Sequence, residues 1–257
     1  MPESILEVAG LTKSYYGLTA VADLSFTVER GSIAGLIGPN GSGKSTTIDC
    51  ITGFQRAAAG HWFLGGRELT GLSPQAHARA GLRRTFQTVR AYEELTLLDN
   101  LRLAAQEHDG VGWWQSLRRS GAWRDAETSA TGRARDLLGL VGLADYAAAP
   151  AGILSYGQRK LLAIAGAMMA SPALVILDEP VAGVNPTMIR RIAEVLRRIN
   201  AEGVSLLIVE HNVDFIIGLC GQVIVLESGR KLAEGGPALI QSDPRVLEAY
   251  LGGSNRG

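Results

Sequence analysis

The chain has 257 residues, 46% of them hydrophobic and 19% charged, with 25 lysines plus arginines balanced by 25 aspartates plus glutamates. That length buries a sizeable core as one large domain or two small ones. The composition excludes a disordered chain, and the even charge gives no support to a nucleic-acid binder.

The first ten residues carry Glu3 and Glu7 and lack the apolar centre of a secretory signal. No apolar run anywhere is long enough to cross a bilayer, so the chain is expected to be soluble and to reach a membrane only through a partner. Cys50 and Cys220 stand far apart, which makes neither a disulfide framework nor a metal site and suits a reducing cytoplasm. Residues 5–8, 20–28 and 32–37 read as short strands, with Gly31 as a breaker before the last. Residues 33–37 are apolar without alternation, as in a parallel strand covered on both faces. A glycine-rich loop follows, then a helix from about Lys44. Residues 60–71 are turn-rich.

Residues 98–170 read as mainly helical, with Leu161, Leu162, Ile164, Ala165, Met168 and Met169 at helical spacing. A polar, arginine-rich insert at 108–135 interrupts them. Beyond residue 172, strands at 174–177, 205–209 and 222–226 alternate with helices at 188–200 and 213–219. That order implies a parallel α/β sheet with right-handed crossovers.

The loop reads Gly38-Pro39-Asn40-Gly41-Ser42-Gly43-Lys44-Ser45, followed by Thr46. It matches the P-loop pattern in the setting that pattern requires, after a buried strand and before a helix. Glycines let successive backbone N–H groups converge on phosphate oxygens where a side chain would collide. The helix start adds its positive dipole end. Lys44 is placed to reach the β- and γ-phosphates and Ser45 to offer its hydroxyl to Mg²⁺. Strand 174–177 runs into Asp178 and Glu179, at the carboxyl edge of a parallel sheet where ligands bind. Asp178 is the candidate Mg²⁺ holder, through water, and Glu179 the candidate acceptor of a proton from an attacking water.

Leu154-Ser155-Tyr156-Gly157-Gln158 resembles the signature motif of ATP-binding cassette (ABC) ATPases, usually LSGGQ, and stands as in that family shortly before the Asp178-Glu179 strand. Gln87, in Thr85-Phe86-Gln87, is similar to the family's Q-loop glutamine. His211, after strand 205–209, is similar to its switch histidine, and Tyr15 to its adenine-stacking aromatic residue, with Tyr16 as an adjacent alternative. The resemblance covers the whole chain in order.

It implies an α/β P-loop NTPase core with a small antiparallel β subdomain and a helical subdomain at about 90–165, all within one nucleotide-binding domain spanning 1–257. It implies ATP and Mg²⁺ as ligands, with Gln87 at the metal and in catalysis. Ser155, Gly157 and Gln158 would approach the ATP held by a second cassette, identical or paralogous. The family's further partners are integral membrane permease subunits, coupled through Gln87 and the segment after it, and indirectly a solute-binding protein. The expected place is the cytoplasmic face of the inner membrane.

Tyr156 replaces the first glycine of the signature, which makes Gly157 the point of close backbone approach, and Asn185 stands where most cassettes carry an aspartate. Both departures, with Glu234-Gly235-Gly236-Pro237, Asp243-Pro244, Glu248-Ala249-Tyr250-Leu251-Gly252 and the extra stretch between Leu103 and Leu137, resemble the branched-chain amino-acid importer subgroup. Cassettes for urea and short amides, a soluble non-transport ABC ATPase, and a P-loop kinase or GTPase are the rival readings. The last explains neither residues 155–158 nor His211. Trp113, Trp114 and Trp123 lie in the insert with Arg118, Arg119 and Arg124. They read as helix packing, with a patch facing lipid or a membrane partner as the alternative.

Overall fold

A computed structural model describes residues 3–85, 91–106 and 120–251. The chain divides into two compact units, the first made of Met1–Arg84, Ala173–Ala182 and Leu196–Gly257, the second of Thr85–Pro172 and Gly183–Val195.

The first unit holds two sheets. The smaller is antiparallel, in the order β2 (Leu18–Glu29), β1 (Ser4–Tyr15), β4 (Ala59–Leu64), β5 (Arg67–Glu68). Along β2, Leu24, Phe26 and Val28 are buried while Ser25, Thr27 and Glu29 are exposed, the period-two pattern of a sheet with one wet face. Residues 60–71, expected to be turn-rich, instead contain β4, β5 and the hairpin between them. Gly65 and Gly66 connect those strands with φ of 53° and 78°, the left-handed pair that a two-residue hairpin needs.

The larger sheet runs β10 (Arg230–Gly235), β9 (Gln222–Glu227), β3 (Ile33–Ile37), β8 (Ser205–Val209), β7 (Leu174–Asp178), β6 (Leu82–Thr85). β3 pairs in parallel with β8 and β9, and β7 with β8. Every residue of β3, β7 and β8 is buried, as the unbroken apolar runs require. Helix α1 (Lys44–Ile51) contributes Ile48 and Ile51 to a core shared with Leu6, Phe26, Leu36 and Leu207, so both sheets and α1 are fixed by one apolar cluster. Removing a large aliphatic residue from it would cost about 2–5 kcal/mol. Short helices α2 (Pro74–Arg79), α7 (Val213–Leu219), α8 (Pro237–Ser242) and α9 (Pro244–Leu251) complete the unit.

The second unit is helical: α3 (Leu97–Gln106), α4 (Ser120–Leu140), two 3₁₀ turns at Ala144–Tyr146 and Ala151–Ile153, and α5 (Tyr156–Met168). The described part of residues 98–170 is thus mainly helical, as expected, divided among these helices and turns. The α4 helix gives way to a turn in which Gly142 adopts φ 68°. Arg133 on α4 donates from Nε to the Met169 carbonyl at 3.1 Å and from Nη2 to that of Met168 at 2.6 Å, covering the carbonyl end of α5 with a cation. Helix α6 (Pro186–Ala201) starts in this unit and ends in the first. It buries Ile192, Val195, Leu196 and Ile199 at i, i+3, i+4, i+7 spacing. Trp113, Trp114, Arg118 and Arg119 lie outside the described residues, as do the side chains of Trp123 and Arg124.

Candidate active site

β3 delivers the chain to Gly38, whose φ is 155°. A Cβ there would lie 2.2 Å from the Leu226 carbonyl oxygen and 2.6 Å from Ser42 Oγ, so only glycine fits. Gly43, at φ 98°, caps α1, and a Cβ on it would stand 2.8 Å from the Ala20 carbonyl. No side chain caps this helix start, so its first N–H groups keep their capacity for an outside acceptor. Lys44 is buried in the first turn and donates from Nζ to the carbonyls of Gly38 at 2.7 Å and Pro39 at 3.0 Å. Burial pushes its ammonium below the ordinary lysine range, while Glu179, Asp178 and Glu210 pull it back up. The Ser42 hydroxyl is buried in the loop with no hydrogen-bond partner. Uncapped N–H groups, a buried ammonium and an unsatisfied hydroxyl at one loop are the donor set a polyphosphate would satisfy. Ser45 is exposed and Thr46 half-buried on the same helix end.

Across the sheet edge, β7 ends at Asp178, and Glu179 adopts φ 48°. A left-handed backbone at a glutamate is strained. Its N–H donates to the Val209 carbonyl at 2.8 Å, which ties the turn after β7 to the end of β8. Asp178 Oδ2 accepts from Arg84 Nη2 at 2.9 Å, and Arg84 Nη1 donates to Asp49 Oδ1 at 2.6 Å. Burial raises the Asp178 carboxyl above the usual aspartate range, and the Arg84 guanidinium works against that. Sequence reasoning missed Arg84. Its pairing spans 35 and 94 residues, and nothing local marks it.

His211 is more than half exposed, with Nδ1 3.9 Å from Glu179 Oε1 and 3.6 Å from Glu210 Oε2. The first unit therefore brings together Lys44, Asp178, Glu179 and His211. It adds Arg84, Asp49 and Glu210, which were not anticipated. Tyr15 ends β1 with the Lys13 ammonium 4.6 Å from its ring centroid, whereas Tyr16 sits at φ 49° with its side chain fully exposed. Gln87 lies outside the described residues.

In the second unit, Ser155 caps α5. Its Oγ accepts from Gln158 N–H at 3.3 Å while Gln158 Oε1 accepts from Ser155 N–H at 3.0 Å, a reciprocal capping box. The Ser155 hydroxyl keeps its own proton for a further acceptor. Tyr156 is exposed, with the Lys160 ammonium 5.3 Å from its ring. Gly157 is buried, and a Cβ on it would meet Met188 Cγ at 2.6 Å. Glycine is required there by the approach of α6. Asn185 Oδ1 accepts from Met188 N–H at 2.9 Å and caps α6 just before Pro186, a task an amide and a carboxylate perform alike.

Residues 21–182, more than half of the chain, match the family model described as ABC transporter. The chain belongs to the ABC transporter family of ATP-binding cassettes. As a member it is an ATPase. Residues 230–254 match a second model, described as branched-chain amino acid ATP-binding cassette transporter. The chain is 38% identical over 253 residues to the high-affinity branched-chain amino acid transport ATP-binding protein BraF of Pseudomonas aeruginosa, covering 98% of this chain and 99% of that protein. It is 36% identical, with the same coverage, to the counterpart LivG of Escherichia coli K12. Among solved structures, an ABC transporter cassette in its ADP conformation superposes with a TM-score of 0.86 at 34% identity, covering 97% of this chain and 99% of that one. A nucleotide-free cassette gives 0.84 at 33% identity, covering 96% and 98%. Among the described residues no helix is long and apolar enough to cross a membrane.

Proposed function

We propose that this cassette is the ATP-hydrolysing subunit of an importer of branched-chain amino acids. The observation that carries the solute class is the match at residues 230–254, which adds to full-length relatives bearing that name.

In this reading the N–H groups of Gly38–Thr46 and the Lys44 ammonium hold the phosphates of ATP. Ser45, Asp178 and Gln87 would hold Mg²⁺, which when bound neutralises charge on the phosphate oxygens. Glu179 takes a proton from the attacking water at its carboxylate, and His211 donates a hydrogen bond toward the γ-phosphate. Tyr15 offers its ring to adenine. Ser155, Gly157 and Gln158 at the start of α5 face the nucleotide of a second cassette, an identical copy or a paralogue. The pair works from the cytoplasmic face of the membrane on permease subunits, served by a solute-binding protein.

The test is reconstitution in liposomes with permease subunits and a binding protein of a branched-chain amino-acid importer. Binding protein loaded with leucine, isoleucine or valine should raise ATP turnover. Stimulation by urea or short amides alone would overturn the solute assignment.

A further inference from the structure

Glu210 has no exposed surface, yet it bears a carboxylate and directly follows the apolar strand β8. Burying such a group is costly unless donors surround it. Backbone N–H groups from two separate turns do so. Oε1 accepts from Val181 N–H at 2.9 Å, 29 residues away in sequence. Oε2 accepts from His211 N–H at 3.1 Å and Asn212 N–H at 3.3 Å. The backbone of Glu210 is itself anchored, donating to the Leu36 carbonyl of β3 at 3.3 Å.

Each of the clamped groups adjoins a candidate catalytic residue. Val181 follows Glu179 by two residues in the turn that begins with a left-handed backbone. His211 is the phosphate-sensing candidate, and Asn212 caps α7 by accepting from Phe215 N–H at 3.0 Å. One carboxylate thus fixes the turn carrying Glu179 against the turn carrying His211, whose side chains stand 3.9 Å apart.

We infer that Glu210 is a positioning residue for ATP hydrolysis: it locks the Glu179 turn and the His211 turn in one geometry by accepting N–H groups from both. The inference rests on the ATPase site described above. Its chemistry is specific to a carboxylate. All three backbone groups facing it are donors, so an acceptor is needed on both of its oxygens. A carboxamide of the same shape must turn its NH₂ toward Val181 N–H or toward the His211 and Asn212 N–H pair, and the clamp then opens on one side.

The experiment compares wild type with Glu210→Gln and Glu210→Asp in the full chain. ATP kcat and KM, affinity for a fluorescent ATP analogue, melting temperature and the amide resonances of Val181, His211 and Asn212 are measured for each. Glu210→Gln should lower kcat about tenfold or more, since small misplacements of reacting groups are that costly. KM and analogue affinity should stay within about twofold, because the hydrogen bonds Glu210 accepts come from Val181, His211 and Asn212 and not from the phosphate loop. At least one clamped amide should shift and exchange faster than in wild type. Glu210→Asp keeps the charge on an arm one methylene shorter and cannot span both turns, so it should show the same split. If Glu210→Gln does not fold, Glu210→Asp decides.

Wild-type kcat in a folded variant overturns the proposal. So does a parallel loss of kcat and nucleotide affinity, or failure of both variants to fold, since each makes Glu210 a structural residue only. A wild-type chain that does not hydrolyse ATP, or a Glu179→Gln chain that does so at full rate, would instead count against the underlying site and not against the clamp.

Discussion

Arg84 and Asp178 are joined by a 2.9 Å hydrogen bond between Nη2 and Oδ2, and both side chains are only 10% exposed. The other guanidinium nitrogen reaches Asp49 on α1 at 2.6 Å, so one cation ties the edge strand β6 to the end of β7 and to the helix behind the phosphate loop. At the candidate metal position, burial raises the Asp178 carboxyl and the Arg84 guanidinium beside it works against that rise.

Replacing Arg84 by Met keeps its apolar stem and leaves Asp178 facing a thioether. Breaking a buried pair from one side costs about 3–5 kcal/mol. Urea unfolding should therefore show a markedly lower midpoint with an unchanged slope. A midpoint equal to wild type would mean that the pair contributes nothing to the folded state.

His77 provides a pH dependence with a known sign. Trp62 Nε1, which can only donate, lies 3.2 Å from His77 Nε2, and His77 Nδ1 lies 2.9 Å from the Ser73 carbonyl. The buried ring is thus neutral, with its proton on Nδ1, and burial pushes its pKa below the ordinary 6.5. The unfolded chain binds the proton more readily, so stability is intact above pH 6.5 and falls as pH drops from there toward the folded-state value. Denaturation across that window should show wild type losing stability faster than His77→Gln. Parallel curves would remove His77 as the cause.

Gly157 and Met188 form a coupled pair. A methyl group added at Gly157 collides with Met188 Cγ at 2.6 Å, and such overpacking costs about 1–3 kcal/mol. Gly157→Ala should lower the melting temperature, and combining it with Met188→Ala should cost less than the sum of the two changes. Strict additivity would show that the two residues do not meet.

The central strands were legible because β3, β7 and β8 are covered on both faces and their apolar runs are unbroken. The phosphate loop was legible because its glycine, lysine and serine pattern stands at fixed spacing between a buried strand and a helix. β4 and β5 carried a usable signal, two runs separated by Gly65-Gly66, but the glycines at both ends of residues 60–71 masked it. β6 reads Leu82-Arg83-Arg84-Thr85 and looks like a polar loop. It pairs at the sheet edge beside β7, and Arg84 finds its countercharges on α1 and β7, a relation no local pattern encodes. Glu210 likewise reads as the wet end of a strand, and only the fold supplies the N–H groups that bury it. Ser155 and Gln158 resemble a nucleotide-facing motif in the sequence. Their reciprocal capping shows that the same residues also start α5.

Glu179 stands at a left-handed turn beside His211 and at the end of the strand carrying Asp178, which is where a water attacking a phosphate held by Lys44 would need a base. ATP binding and ATP turnover measured side by side in Glu179→Gln test that placement. The amide keeps the shape and cannot take the proton, so ATP affinity should stay within about twofold of wild type while turnover falls about 100-fold or more. Hydrolysis at the wild-type rate by a Glu179→Gln chain with normal ATP affinity would contradict the site as drawn.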